Sequence, residues 1–124
     1  MARGAIPILR VGANLLATVH VELHDDVAEA FQEDVLGELE KRRAAGLVID
    51  ISGLDLVDTY VARVLTETGR MARLMGTETV LVGMRPAVAA TLIRMGYSMQ
   101  GVRTALNVDD GIEALAAAAS EKKK

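Results

Sequence analysis

The stretch GLVIDISGLDLVDTYVARVL, residues 46–65, places a strand, a short loop and a helix in direct succession. Apolar side chains alternate with less apolar ones along its first part, at Leu47, Ile49 and Ile51. This spacing is typical of a β-strand with one buried face. From residue 59 onward, Val61 and Leu65 recur at helical spacing. The stretch therefore predicts a strand that leads through an acidic loop into an amphipathic helix.

The same elements recur towards the N-terminus. IPILR (6–10) and LLATVHV (15–21) predict two strands, and Gly12 and Asn14 between them favour a hairpin turn. Residues 25–46 predict a helix whose buried face consists of Val27, Phe31, Val35, Leu36 and Leu39. We expect Asp26 and Glu29 to form a capping box at its start and Gly46 to end it.

Towards the C-terminus, the second helix is predicted to bury Val61, Leu65, Thr68, Ala72 and Met75 and to end at Gly76, with positive φ. TVLVG (79–83) predicts a strand, and RPAVAATLIRMG (85–96) a helix with Pro86 near its first position and Gly96 at its end. VRTALN (102–107) predicts a weaker strand. The last helix follows, and we expect Asp109 to cap it.

This alternation predicts an α/β fold in which parallel strands are joined by right-handed crossovers. The strands are only half apolar, so we expect helices mainly on one face of the sheet. We expect Leu16, Val48 and Leu81 to lie on the opposite, partly open face and to support a dimer or weak homo-oligomer.

Composition narrows the functional classes. The 124 residues favour a single domain over 1–124, with a core of about 5–118 and a basic tail at 119–124. The net charge of −3 and the aromatic content of 2% disfavour nucleic-acid binding. The absence of cysteine excludes a disulfide framework and a thiolate metal site. No signal peptide or long apolar segment is recognisable, which predicts a cytoplasmic protein without membrane contact.

Candidate chemistry is sparse, and we expect no cofactor, no metal and no catalytic residue. His20 and His24 flank Glu22, but solvated surface histidines explain the pattern better than a metal site. Asp50 sits late in a strand, as in response-regulator receiver domains. That chemistry also needs further acids for Mg²⁺ and a lysine after the last strand, which this sequence does not supply. We therefore expect Asp50 to be structural and to accept hydrogen bonds from the following loop.

Thr59 has two interpretations. Asp58 or Thr59 is suited to cap the helix, because a side-chain oxygen there accepts from an orphan backbone amide. Alternatively, the hydroxyl of Thr59 is held out for a kinase. A phosphate at this place adds a charge of about −1.5 to −2 beside Asp55 and Asp58.

The sequence resembles the RsbS-type STAS-domain proteins of bacterial stressosomes. The matching stretches span Ile6 to Leu115: IPILR, ELHDDVAEAFQEDVL (22–36), residues 46–65, LMGTETVLVGMRPAVAATLIRMG (74–96) and TALNVDDGIEAL (104–115). VLVGMRPAVA (80–89) is typical of STAS domains in general, whereas FQEDVL (31–36) together with IPIL (6–9) points to the RsbS branch.

The resemblance implies a small mixed β-sheet with helices mostly on one side, and a non-enzymatic scaffold that assembles with RsbR-type proteins. It implies capture of an RsbT-type switch kinase, phosphorylation of the loop, release of the kinase and resetting by an RsbX-type phosphatase. It assigns Thr59 as phosphoacceptor and Gly53, Asp55 and Asp58 to the partner-binding loop.

The family acceptor is typically serine, so threonine at position 59 is a departure that resembles the RsbR pattern. Three alternative functions remain open. These are a single-STAS anti-anti-sigma factor that binds an anti-sigma kinase, a receiver domain acting through Asp50, and a nucleotide-binding STAS domain.

Overall fold

The computed structural model of the chain describes residues 6–19 and 23–122. Its strands and helices follow the predicted order: β1 (Ile8–Val11), β2 (Asn14–Thr18), α1 (Asp25–Lys41), β3 (Gly46–Asp50), α2 (Thr59–Leu74), β4 (Glu78–Val82), α3 (Pro86–Arg94), β5 (Arg103–Ala105) and α4 (Val108–Lys122).

The five strands form one mixed sheet in the order β1-β2-β3-β4-β5. β1 and β2 pair antiparallel through a tight turn in which Gly12 has φ 61°, which confirms the predicted hairpin. β2, β3, β4 and β5 are parallel. Because parallel strands end at the same edge of a sheet, the segments after β3 and β4 meet at one edge.

The main core lies between the sheet and helices α1, α2 and α3. Inward-facing strand residues, among them Leu15, Leu47, Ile49 and Leu81, are at most 2% exposed. The predicted face of α1 contributes Phe31, Val35 and Leu39, which are buried, and Val27 and Leu36, which are partly buried. The sheet is mixed and three of its four helices lie on one side, which confirms the predicted fold class.

The second face is less open than the sequence predicted. Helix α4 packs Leu115 against Val48, Val80 and Val82 and buries all four. It approaches closely because Gly111 lacks a side chain: a Cβ there would lie 2.7 Å from Val82 Cγ1.

Of the three residues predicted for the open face, only Leu81 is on the wrong side, because it points into the main core. Val48 lies on the predicted side but is covered by α4. Leu16 is half-buried beside the cluster that Leu115 forms with the three valines. Leu9 of the edge strand β1 is 59% exposed. The predicted self-association stays a prediction, with an apolar surface that lies at β1 rather than at the centre of the sheet.

Three predicted helix ends are wrong. α1 begins two residues earlier than the capping box required, with His24 as the extended N-cap residue, and Asp26 accepts from the adjacent amide of Val27. Gly46 opens β3 instead of ending α1. Asn107, not Asp109, caps α4 by accepting from the amide of Asp110 at 2.8 Å.

The glycine ends of α2 and α3 are confirmed. Gly76 has φ 91° and Gly96 has φ 68°, the left-handed region that glycine adopts without a steric penalty. Pro86 occupies the first turn of α3, as predicted. Met75 differs from its prediction, because it is 45% exposed where burial was expected. Helix α4 continues to Lys122, so residues 119–122 are helical.

Candidate functional site

The segment from Ile51 to Thr59 crosses the sheet edge between β3 and α2. The amide of Leu54 donates to the carbonyl of Ile51 at 3.0 Å and closes a turn that leaves Gly53 exposed. Leu54 and Val57 are buried and anchor the loop in the main core, whereas Leu56 is 72% exposed. Since buried and exposed residues alternate here, the loop has a fixed path and presents its polar side chains outward.

Asp50 and Gly83 form the floor beneath this loop. The carboxylate of Asp50 accepts from the amide of Ser52 at 2.9 Å, which confirms the predicted structural bond to the loop. Gly83 follows β4 with φ 76°, and a Cβ there would lie 2.9 Å from Ser52 Cβ and 3.0 Å from Asp50 Oδ1. A side chain at position 83 would therefore displace the start of the loop.

Asp58 caps α2, so Thr59 does not have to. The carboxylate of Asp58 accepts from the amide of Val61 at 2.8 Å. Thr59 is the first helical residue and is exposed. Its hydroxyl donates to Met95 Sδ at 3.4 Å. Of the two predicted caps, Asp58 is the cap, and the hydroxyl of Thr59 does not cap the helix.

Arg85 connects the loop to the start of α3. Its Nε donates to the carbonyl of Ser52 at 2.8 Å, and its Nη1 lies 3.0 Å from Asp55 Oδ1. Both side chains of this ion pair are more than half exposed, so the pair contributes little to stability. Sequence reasoning missed Arg85, although its position directly before Pro86 at the same sheet edge was a signal for it.

Tyr60 ties the first turn of α2 to α1. Its hydroxyl donates to Glu29 Oε2 at 2.7 Å, and this hydrogen bond, with partial burial, raises the pKa of Tyr60 to about 12. The guanidinium of Arg63 lies 5.5 Å from the centroid of the Tyr60 ring. Thr59 is thus flanked by Asp58 and Tyr60, both of which have defined partners, and the pairing of Tyr60 with Glu29 was not predicted.

The predicted site residues Gly53, Asp55, Asp58 and Thr59 all lie exposed on this one continuous segment. Beside it, a cleft of about 340 Å³ is lined by Asp50, Ser52, Val82, Gly83, Leu106, Asn107, Val108 and Asp109. These lining residues include two carboxylates and no Lys or Arg, which disfavours a nucleotide phosphate in this cleft.

Neither a metal cluster nor a membrane span is found in the described part of the chain. Within 6–19 and 23–122, no group of three or more His, Cys, Asp or Glu residues is arranged to hold a metal ion. His20 and Glu22 of the predicted histidine pattern lie outside the described residues. In the same ranges, no helix combines the length and the apolar character that crossing a bilayer requires.

The similarity to known proteins extends over nearly the whole chain. A sequence model described as the STAS domain matches residues 5–111. The solved structure of an RsbS variant from Moorella thermoacetica with a serine-to-glutamate substitution is 40% identical. It superposes with a TM-score of 0.81 over 96% of this chain and 99% of that chain. A chain from the solved molecular architecture of the stressosome is 42% identical, with a TM-score of 0.78 over 91% of this chain and 98% of that chain.

The curated relatives that are RsbT co-antagonist proteins are longer than this chain. RsbT co-antagonist protein RsbRA of Bacillus subtilis is 31% identical over 108 residues, which are 86% of this chain and 39% of that protein. The chain thus spans about two fifths of the length of this relative.

Proposed function

The chain belongs to the STAS-domain family, and we propose that it is an RsbS-type scaffold and antagonist of a stressosome. In this role it assembles with RsbR-type STAS proteins, captures an RsbT-type switch kinase and catalyses no reaction itself. Phosphorylation of Thr59 releases the kinase, and an RsbX-type phosphatase removes the phosphate. The similarity to RsbS over 96% of the chain and to the RsbT co-antagonist RsbRA supports this proposal.

The single observation that carries the phosphoacceptor assignment is that the Thr59 hydroxyl lies on an exposed residue and does not cap α2. The carboxylate of Asp58 already accepts from the amide of Val61. A phosphate on Thr59 would therefore not remove the cap of α2. Thr59 is exposed, whereas Thr66 and Thr68 on the same helix are buried and donate to the carbonyls of Ala62 and Val64. A kinase that reaches the start of α2 therefore meets Thr59 as an accessible hydroxyl.

The release mechanism is electrostatic. A phosphate on Thr59 adds about −1.5 to −2 charge next to the exposed carboxylates of Asp55 and Asp58. Juxtaposed like charges at a protein interface cost several kcal/mol, so a kinase surface that fits the unmodified loop separates. The fold tolerates the modification, because the N-terminus of α2 favours negative charge.

Threonine instead of serine affects the rate of transfer rather than the site. Its extra methyl group lies next to the reacting oxygen and restricts the side-chain rotamer. We expect Thr59→Ser to accept phosphate at least as fast as the wild-type protein.

A pull-down with a purified RsbT-type kinase tests the proposed function. Thr59→Ala should keep the kinase bound, whereas Thr59→Asp should weaken capture, since one carboxylate mimics part of the phosphate charge. Substitution of Gly53 in the exposed turn should weaken capture more than it lowers stability. If Thr59→Asp binds the kinase as tightly as the wild type, the electrostatic release mechanism is wrong.

Sizing of mixtures tests the choice of partner. Mixed with an RsbR-type protein, the chain should form assemblies much larger than either component, as measured by light scattering. If it instead forms only a small complex with an anti-sigma kinase, the alternative role of a single-STAS anti-anti-sigma factor is correct.

A further inference from the structure

Met95 is held at the end of α3 with its side chain against the start of α2. The backbone here is fixed by three bonds: the amide of Met95 donates to Thr91, that of Gly96 to Ile93 and that of Tyr97 to Leu92, each at 3.0 Å. The side chain leaves this fixed frame and places its sulfur 3.4 Å from the Thr59 hydroxyl oxygen. The contact therefore follows from the end of one helix meeting the beginning of another.

In the unmodified protein, this contact orients the hydroxyl of Thr59. The hydroxyl donates its hydrogen to Met95 Sδ, and a thioether sulfur is a weak acceptor. The hydroxyl hydrogen thus points towards Met95, and breaking this hydrogen bond costs little free energy. Met95 is 38% exposed, so small reagents in solvent reach this residue.

Methionine is the only sulfur-containing residue type that can be oxidised in this chain, since the sequence has six methionines and no cysteine. Met71 and Met75 are as exposed as Met95, at 42% and 45%. Met71 lies twelve residues after Thr59 on α2, about 18 Å along the helix axis. The chain therefore contains one exposed methionine at the candidate phosphoacceptor and matched ones far from it.

We propose that Met95 is an oxidation site that regulates Thr59. A peroxide-class oxidant converts its thioether to a sulfoxide, whose oxygen accepts the Thr59 hydrogen bond more strongly and slows phosphorylation of this residue. The inference rests on the proposed role of Thr59 as phosphoacceptor.

The oxidation step balances with hydrogen peroxide as the only co-reactant. A lone pair of Met95 Sδ attacks one peroxide oxygen, the S–O bond forms and the O–O bond breaks. The sulfur is oxidised by two electrons, and the other oxygen leaves as water after proton transfer. The hydrogen of the Thr59 hydroxyl stays on Thr59. Methionine sulfoxide reductases return the sulfoxide to the thioether, so the change is reversible.

The effect on phosphorylation follows from the proton that the hydroxyl must lose. A kinase base accepts this proton as the phosphoryl group transfers, so a stronger hydrogen bond to the sulfoxide must first be broken. We expect phosphate incorporation to slow roughly fivefold, which corresponds to about 1 kcal/mol.

The test treats the full chain with hydrogen peroxide until mass spectrometry shows complete oxidation of Met95, removes the peroxide and then adds the RsbT-type kinase. The wild type should slow roughly fivefold and recover after treatment with methionine sulfoxide reductase. Met95→Leu should show no change on peroxide treatment, whereas Met71→Leu should slow like the wild type. NMR provides a readout without kinase: the Thr59 resonances should shift on oxidation of the wild type and not on oxidation of Met95→Leu.

Two outcomes would overturn the inference. One is an unchanged rate after complete oxidation of Met95, and the other is equal slowing of Met95→Leu and the wild type. If the reduced wild type incorporates no phosphate at Thr59, the proposed function fails instead. In that case the NMR shift still decides whether oxidation of Met95 reaches Thr59.

Discussion

The two ends of the parallel strands use threonine in opposite ways. At the closed end, where β3 and β4 begin, Thr77 is 3% exposed and its hydroxyl donates to the carbonyl of Ala44 at 2.8 Å. At the loop end, formed by residues 51–59 and Arg85, the hydroxyl of Thr59 is exposed and donates only to a thioether sulfur. Thr77 is therefore a fixed structural element, whereas Thr59 is exposed and its hydroxyl is held only by a weak hydrogen bond.

The difference lies in the burial of the polar contacts. A buried donor that loses its partner costs about 1–3 kcal/mol, so the closed end resists change. The contacts that hold the loop end, such as Arg85 with Asp55, are exposed to water and individually worth much less. We therefore expect the fold to survive substitutions at the loop end, and substitutions at the two ends should separate stability from recognition.

The largest expected effect on stability is at the closed end, from Gly76→Val. Position 76 has φ 91°, and a Cβ added there would meet nothing within 4 Å beyond its chain neighbours, so the cost is conformational rather than steric. We expect a loss of about 1–2 kcal/mol in the free energy of unfolding. Urea denaturation measures it, with Gly37→Val in the open middle of α1 as control. An unchanged melting temperature for Gly76→Val would refute the cap assignment.

At the loop end, Asp58→Ala should cost about 0.5–2 kcal/mol, because α2 loses the acceptor for the amide of Val61. Thr59→Ala should change stability by less than about 0.5 kcal/mol, since its hydroxyl does not cap the helix. The two variants, compared by denaturation under identical conditions, separate the cap from the proposed phosphoacceptor. Equal losses for both would contradict this division of roles.

Arg85→Gln should leave stability within about 1 kcal/mol of the wild type while it weakens capture of the kinase. The variant frees the loop from its contacts to Ser52 and Asp55. Arg42→Gln is the matched control, because the Arg42 side chain is about as exposed as that of Arg85 and forms an ion pair with Glu38 on α1, away from the loop. Equal capture by both variants would show that the Arg85 contacts do not shape the binding surface.

The smallest effect concerns pH. The pKa of Tyr60 is raised from 10.0 to about 12, so the folded state retains the phenol proton longer than the unfolded state. The stabilisation from the bond to Glu29 is therefore complete below pH 10.0 and is lost as pH rises towards about 12. Ultraviolet titration should show Tyr60 ionising late and Glu29→Gln shifting it back towards 10.0, with Tyr60→Phe identifying the signal.

Periodicity and turn residues were sufficient to predict most of the fold. The alternation at Leu47, Ile49 and Ile51 and the glycine at position 76 depend on the chain's local conformation, and these predictions are confirmed. The predicted open face was wrong because burial of Val48 depends on where α4 folds back. That in turn depends on Gly111, more than sixty residues away in sequence.

The candidate site was predictable only in part for the same reason. Asp58 and Thr59 are adjacent in sequence, so their helix-start position could be inferred, although not which of them caps. Met95 and Glu29 reach the site from the end of α3 and from α1, and no local pattern indicates such contacts. For Arg85, the one signal was its position directly before Pro86.

Mapping of the phosphate shows directly whether Thr59 is the acceptor. The wild type, Thr59→Ala and Thr104→Ala are incubated with an RsbT-type kinase and ATP, and the modified residue is located by mass spectrometry. Thr104 is an exposed threonine on β5 and serves as the control. We expect phosphate on Thr59 in the wild type and in Thr104→Ala, and only background incorporation in Thr59→Ala. Incorporation into Thr59→Ala at the wild-type level would contradict this expectation.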